Sequence, residues 1–257
     1  MSGVVTDRRE QHPVGVVSTF VLTYRIFVRE VVTRSRIIAL SLLGILVIVV
    51  GWAVGLSDTS DLPADALDNA VHLTVRLGLT VVVPVVALVF AAGVLGDSRD
   101  DGTLVYLWLR PLRRWPIALG AYASALTIIA PLTIVPLVAA AVLIDGSSTV
   151  AVAVLISSVV AVVGYTGLFV LLGTLLRKSI VWGLAYIIVW EGIASSLGKA
   201  AARLSIRGYA SSVLSDRTGI DVDSFSISQA WGALVPVIVA VVAVALTAAR
   251  LDRVDVA

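Results

Sequence analysis

Residues 150–176 read VAVAVLISSVVAVVGYTGLFVLLGTLL, with no Lys, Arg, Asp, Glu or His anywhere in the run. Coiled as an α-helix at about 1.5 Å per residue, such a stretch outreaches the roughly 30 Å of a bilayer's hydrocarbon core. It is apolar continuously rather than at alternate positions, which favours a helix over a barrel strand of about ten residues. Working outward, further runs of the same kind occupy residues 37–56, 73–95, 116–144, 180–197 and 230–249. Composition agrees: of 257 residues 59% are hydrophobic and 14% charged, too little polar surface to cover a water-soluble domain. The expected fold class is an all-α polytopic membrane protein. It has six transmembrane helices in a single transmembrane domain over residues 1–257.

Lys and Arg placement sets the orientation, because positively charged loops stay in the cytoplasm. Of 19 basic residues, 14 fall in the N-terminal segment, the loops after the second and fourth spans, and the tail. The opposite side holds Lys199, Arg203, Arg207 and Arg217, with Arg76 near the outer border of the second span. Both termini are therefore expected to be cytoplasmic. Asp58, Asp61, Asp65 and Asp68 crowd the outer loop Ser57–Val71. The 36 residues ahead of the first span exceed a secretory leader's basic region, so that span is read as a retained anchor.

Two segments outside the spans carry pattern. In residues 16–36 Val17, Phe20, Val21, Tyr24, Phe27, Val28, Val31 and Val32 recur at helical spacing, interleaved with Arg25, Arg29, Arg34 and Arg36. An amphipathic helix in the cytoplasmic interface fits this better than an extended first span, because each mid-bilayer charge costs about 2.5 kcal/mol or more. The loop 97–115, within GDSRDDGTLVYLWLRPLRRW (96–115), is too apolar for a mere connector. Leu104, Leu107 and Trp108 share a helical face; Asp97, Asp100 and Asp101 precede it, and Arg110, Arg113 and Arg114 follow, matching the helix dipole. Pro111 fixes the exit. The loop reads as a docking element for a cytoplasmic partner or as a surface helix with none. On the outer side, Ala201, Leu204, Ile206, Tyr209 and Val213 point to a short helix resting on the interface.

Enzyme chemistry finds little support. Cysteine is absent, which removes disulfides, thiolate metals and cysteine catalysis together. His12 and His72 form no HExxH, and the Asp97, Asp100 and Asp101 group lacks the second acidic cluster that a magnesium-phosphate site needs. GIASSLGKA at 192–200 misses the phosphate-binding loop by its spacing and its final residue. No catalytic residue, metal or cofactor is expected in this chain, and a net charge of +2 gives no case for nucleic acid. Glu191 stands out inside an apolar span beside Trp190 and near Tyr186, with Arg76 as a candidate partner. It is either a substrate-path or coupling-ion carboxylate or a structural hydrogen-bond acceptor. Pro84, Pro131, Pro136 and Pro236 should kink or locally open their spans. Gly51 and Gly55 match the close-packing pattern of helix pairs.

The run DDGTLVYLWLRPLRRWPIALG (100–120) resembles the cytoplasmic signature of ABC-2 type transporter permeases, the membrane subunits of ATP-binding-cassette exporters. The matching positions are Asp100, Asp101, Gly102, Thr103, Leu104, Arg110, Pro111 and Arg114, with Tyr106 and Trp115 also fitting. Ser98 replaces a usual Glu, and Ala121 a frequent Lys. Trp190-Glu191 followed by Leu204-Ser205-Ile206 and Tyr209 is similar to a weaker pattern in one branch of the family. The resemblance implies a multi-pass permease of a prokaryotic plasma membrane. Such a permease pairs with a second permease copy or a paralogue and with two cytoplasmic ATPase subunits, which bind the Mg-ATP. The coupling surface would be Arg25 and Arg29 with Asp97, Asp100, Asp101, Gly102, Thr103, Leu104, Leu107, Trp108, Arg110, Pro111 and Arg114. A substrate path would run past Tyr186, Trp190, Glu191 and Arg76. A secondary transporter or channel, or a non-transporting membrane assembly factor, are the competing classes.

Overall fold

The computed structural model describes residues 15–57, 63–100, 114–193, 204–222 and 228–253. Among them every regular element is helical: α1 (Val16–Val31), α2 (Arg34–Ser57), α3 (Pro63–Leu73), α4 (Val83–Asp100), α5 (Arg114–Asp145), α6 (Ser148–Leu175), α7 (Ser179–Ala185), α8 (Ile206–Thr218) and α9 (Gln229–Arg253). A π-helical segment, Thr74–Val82, joins α3 to α4 without a break, and a second, Tyr186–Ile193, prolongs α7. Five helices are long and apolar enough to cross a membrane: Arg34–Ser57, Asp65–Asp97, Arg114–Asp145, Ser148–Leu175 and Gln229–Arg253.

Helix α6 is the hub, packed against α4, α5, α8 and α9, with a buried stripe from Val150 to Thr174. Peripheral helices meet the bundle along narrower seams. On α2 Leu40, Gly44, Val47 and Gly51 are buried, whereas Ile38, Leu42, Ile45, Leu46, Val49 and Trp52 are exposed, the surface that lipid would cover. The Gly51 and Gly55 pair works as the sequence indicated. A Cβ on Gly51 would stand 2.6 Å from Ala140 Cβ, and one on Gly55 2.5 Å from the Leu143 carbonyl oxygen, so only bare backbone lets α2 lie this close to α5.

Pro84 explains the first π-helical segment. A proline lacks the N–H that would close the preceding turn, and the turn ahead of it is widened, with the Val83 N–H bonded to the Gly78 carbonyl five residues back. The Thr80 hydroxyl adds a bond to the Val75 carbonyl at 2.8 Å. Helix α5 continues through Pro131 and Pro136, and α9 through Pro236.

Three expectations change. The interfacial helix stops at Val31, where Val32 leaves helical geometry (ψ 80°), so Arg34 and Arg36 open α2 instead; consecutive β-branched Val31, Val32 and Thr33 weaken the helix there. The outer loop expected at Ser57–Val71 is helical from Pro63 on, a start marked by proline in the first position and Asp65 in the first turn. Of the run 180–197, residues 180–193 are described and all are helical, with the turn widening into a π-helix at Tyr186. Finally, the outer helix does not rest on a surface: in α8 Ile206, Gly208, Ala210, Ser211, Ser212, Val213 and Leu214 are all buried.

Helix α8 begins halfway along α6, where a Cβ on Gly164 would meet Ile206 Cγ2 at 3.0 Å. It ends beside the turn between α5 and α6, where Arg217 and Thr218 line one cavity with Asp145 and Ser147. The Ser157 hydroxyl donates to the Ala210 carbonyl at 2.7 Å and fixes the register between. Replacing Gly51 with Leu is predicted to push α2 from α5 and to lower the stability of the detergent-solubilised protein by about 1–3 kcal/mol. Thermal unfolding in a fixed detergent checks this; an unchanged midpoint would show that the seam is slack.

Candidate functional site

Glu191 is wholly buried although it carries a carboxylate. Its second π-helical segment ends two residues later, at Ile193. An ionised group in so apolar a place persists only when donors surround it, and three do. Tyr186 donates its hydroxyl to Oε1 at 3.1 Å. The Ile206 backbone N–H donates to the same oxygen at 3.2 Å. The Ser205 hydroxyl donates to Oε2.

Two of those donors belong to the start of α8. Ser205 is its N-cap: the hydroxyl that binds Glu191 also accepts the Gly208 N–H at 3.1 Å. Glu191 therefore places negative charge at the positive end of the α8 dipole and satisfies an orphan N–H of its first turn. Its neighbour strengthens the joint, because Trp190 Nε1 donates to the Leu204 carbonyl at 3.3 Å. Trp190 and Glu191 together grip the three residues Leu204, Ser205 and Ile206.

Aromatic packing holds the acceptor side. Tyr165 stacks on Phe169 with ring centroids 5.9 Å apart, and Phe169 meets Tyr186 edge-on at 6.2 Å. The Tyr165 hydroxyl is buried within the electrostatic reach of Glu191 but makes no hydrogen bond of ordinary geometry. Arg207, on the first turn of α8, also acts on this group and donates to Thr80 Oγ1 on the first π-helical segment at 3.3 Å. Both π-helical segments, α6 and α8 thus meet around one polar layer.

Of the proposed path residues, Tyr186, Trp190 and Glu191 are brought together, whereas Arg76 is exposed. Tyr165 was missed, although a lone Tyr within an otherwise apolar run was a usable signal. Both carboxylate oxygens are engaged by these donors. Among the described residues no group of three His, Cys, Asp or Glu is placed to hold a metal.

At the other end of the bundle, α1 packs against α5. It turns Thr19, Thr23, Phe27 and Val31 inward, and Tyr24 donates to Thr127 Oγ1 at 3.2 Å. Arg25 and Arg29 lie on its exposed side. Asp97 ends the described side chains of α4 in an ion pair with Arg36 at 2.7 Å. Asp100 belongs to the last turn of α4, and Arg114 opens α5. Asp101, Gly102, Thr103, Leu104, Leu107, Trp108, Arg110 and Pro111 lie outside the described residues.

Residues 32–198 match the model of a family described as ABC-2 family transporter protein. No curated protein matches the chain.

Replacing Glu191 with Ala strands the Ser205 hydroxyl and the Ile206 N–H, and is predicted to lower stability by about 2–4 kcal/mol. Gln, which keeps an acceptor oxygen, should lose less. Unfolding of both variants beside the parent decides it; a Gln variant that loses as much as the Ala one would show that the acceptor oxygen it keeps contributes nothing at this joint.

Proposed function

The chain belongs to the ABC-2 transporter family, and on that footing we propose that it is the permease subunit of an ABC exporter, driven by ATP hydrolysed in a separate cytoplasmic subunit. The chain itself is no enzyme. Its family and its long apolar helices make it a membrane transport component.

The observation that carries the finer reading is the gathering of cations at one end of the bundle. Arg34 and Arg36 open α2, Arg114 opens α5, Arg177 and Lys178 follow α6, and Arg250 and Arg253 close α9. Contacts between the helix ends support a common face: Arg36 reaches Asp97, and a Cβ on Gly96 would stand 3.0 Å from Ser179 Oγ. By the positive-inside rule this face is cytoplasmic, as are both termini, in a prokaryotic plasma membrane. The chain then crosses six times, the fifth crossing being shared by α7 with its π-helical extension and by α8, which meet at Glu191 at mid-depth. Discontinuous helices of this kind satisfy their free ends with side chains rather than with water.

The exposed Arg25 and Arg29 of α1 and the loop 97–115 form the coupling face for the ATPase, which binds Mg-ATP. Two ATPase copies and a second permease copy or paralogue complete the assembly. Tyr186, Trp190 and Glu191 hold the broken crossing together. A tagged chain extracted in mild detergent should bring with it a soluble ATPase in stoichiometric amount and show magnesium-dependent ATP hydrolysis. Alanine at Leu107 and Trp108 should abolish the coupled hydrolysis while leaving membrane insertion intact. A folded chain that emerges alone and inactive would favour a secondary transporter or a scaffold.

A further inference from the structure

Helix α2 lies chiefly against α5, and its backbone hardly approaches α4. One polar link crosses the gap. Arg36, in the first turn of α2, extends Nη1 to 2.7 Å from Asp97 Oδ2 on α4, both side chains being about one-third exposed. The pair lies flat on α4 over Gly93, where a Cβ would stand 3.0 Å from Arg36 Nη1 and 3.1 Å from Asp97 Oδ2. Any larger residue at Gly93 would wedge the two apart.

The same end of α4 is held differently on its other sides. A Cβ on Gly173 of α6 would stand 2.5 Å from the Ala92 carbonyl oxygen, and Gly96 lies against Ser179 at the start of α7. These are non-directional backbone contacts that set how near the helices lie. The contact with α2 is a directional, charge-assisted hydrogen bond at the end of a long arm. Asp97 stands one turn before the chain leaves α4 for the loop 101–113, and Arg36 stands just past the break at Val32-Thr33 that joins α1 to α2.

We propose that Arg36 is a positioning residue of the coupling face, its ion pair with Asp97 serving as the strut that makes the cationic end of α2 follow the loop-bearing end of α4. The inference rests on the exporter reading. When the ATPase moves the loop, close packing carries α6 and α7 with α4. The strut carries α2, which has little packing with α4 of its own.

The test compares the parent with Arg36→Asp, Asp97→Arg and the double swap, each purified with its co-extracted ATPase. Two quantities are read: the ATPase-to-permease ratio and magnesium-dependent ATP hydrolysis. Hydrolysis per bound ATPase should fall about fivefold in each single reversal, and the swap should restore it to within about twofold. Single reversals without effect, or a swap that fails to restore turnover, overturn the strut. If the parent brings no ATPase, the exporter reading fails on its own, and thermal unfolding of the same four proteins then judges the pair. A swap that recovers the midpoint lost in the singles upholds the strut, and additive losses overturn it.

Discussion

A carboxylate buried among apolar helices has to be given donors by the protein itself, and meeting that demand at Glu191 shapes the whole upper half of this molecule. The donors come from two stretches of chain: Tyr186 from the π-helical extension of α7, Ser205 and Ile206 from the start of α8. Each supplies what the other lacks. The first carries an acid that needs hydrogen bonds, and the second begins with N–H groups that need an acceptor. Removing either member leaves the other's polar groups unpaired in surroundings that cannot hydrate them.

Around this joint the bundle is stiff where the backbones touch and adjustable where they do not. Helix α6 presents small residues along its length, so α4, α8 and α9 pack closely upon it. Helices α1 and α2 sit against α5; α1 also touches α4 directly, whereas α2 reaches this end of α4 through the Arg36–Asp97 ion pair. A motion that enters through the end of α4 therefore meets close packing toward α6 and α7 and, toward α2, the strut. The two π-helical segments lie near Thr80 and Glu191, where widened turns let a helix change pitch at small cost.

Much of this was legible in residues alone. Apolar runs about as long as a bilayer core is thick marked the five long helices, because nothing but lipid or protein interior can surround them. Arginine spacing marked α1, and the glycines at 51 and 55 marked the α2–α5 seam. The fifth apolar run was harder to read. It is helical over 180–193 with Glu191 inside it, and hydropathy gives no sign that this acid is met by donors from a later helix. Helix α8 was legible as a short helix but not as a buried one. It is buried through Gly208, Ala210, Ser211 and Ser212, residues whose small size permits close packing while their polarity imitates a loop. Its capping partner lies 14 positions back, from Ser205 to Glu191, beyond the reach of any local capping rule.

The central claim is that ATP hydrolysed by a cytoplasmic partner moves the membrane helices of this chain. The chain has no cysteine, so a single one at Leu204, whose side chain is 67% exposed beside the Glu191 joint, reports on that region alone. Inside-out native membrane vesicles would be labelled with a membrane-permeant maleimide, with ATP and magnesium or with ATP and a magnesium chelator. The account predicts a labelling rate at Leu204→Cys that differs between the two conditions. A rate that stays the same, while the vesicles hydrolyse ATP through the co-purifying subunit, would contradict it.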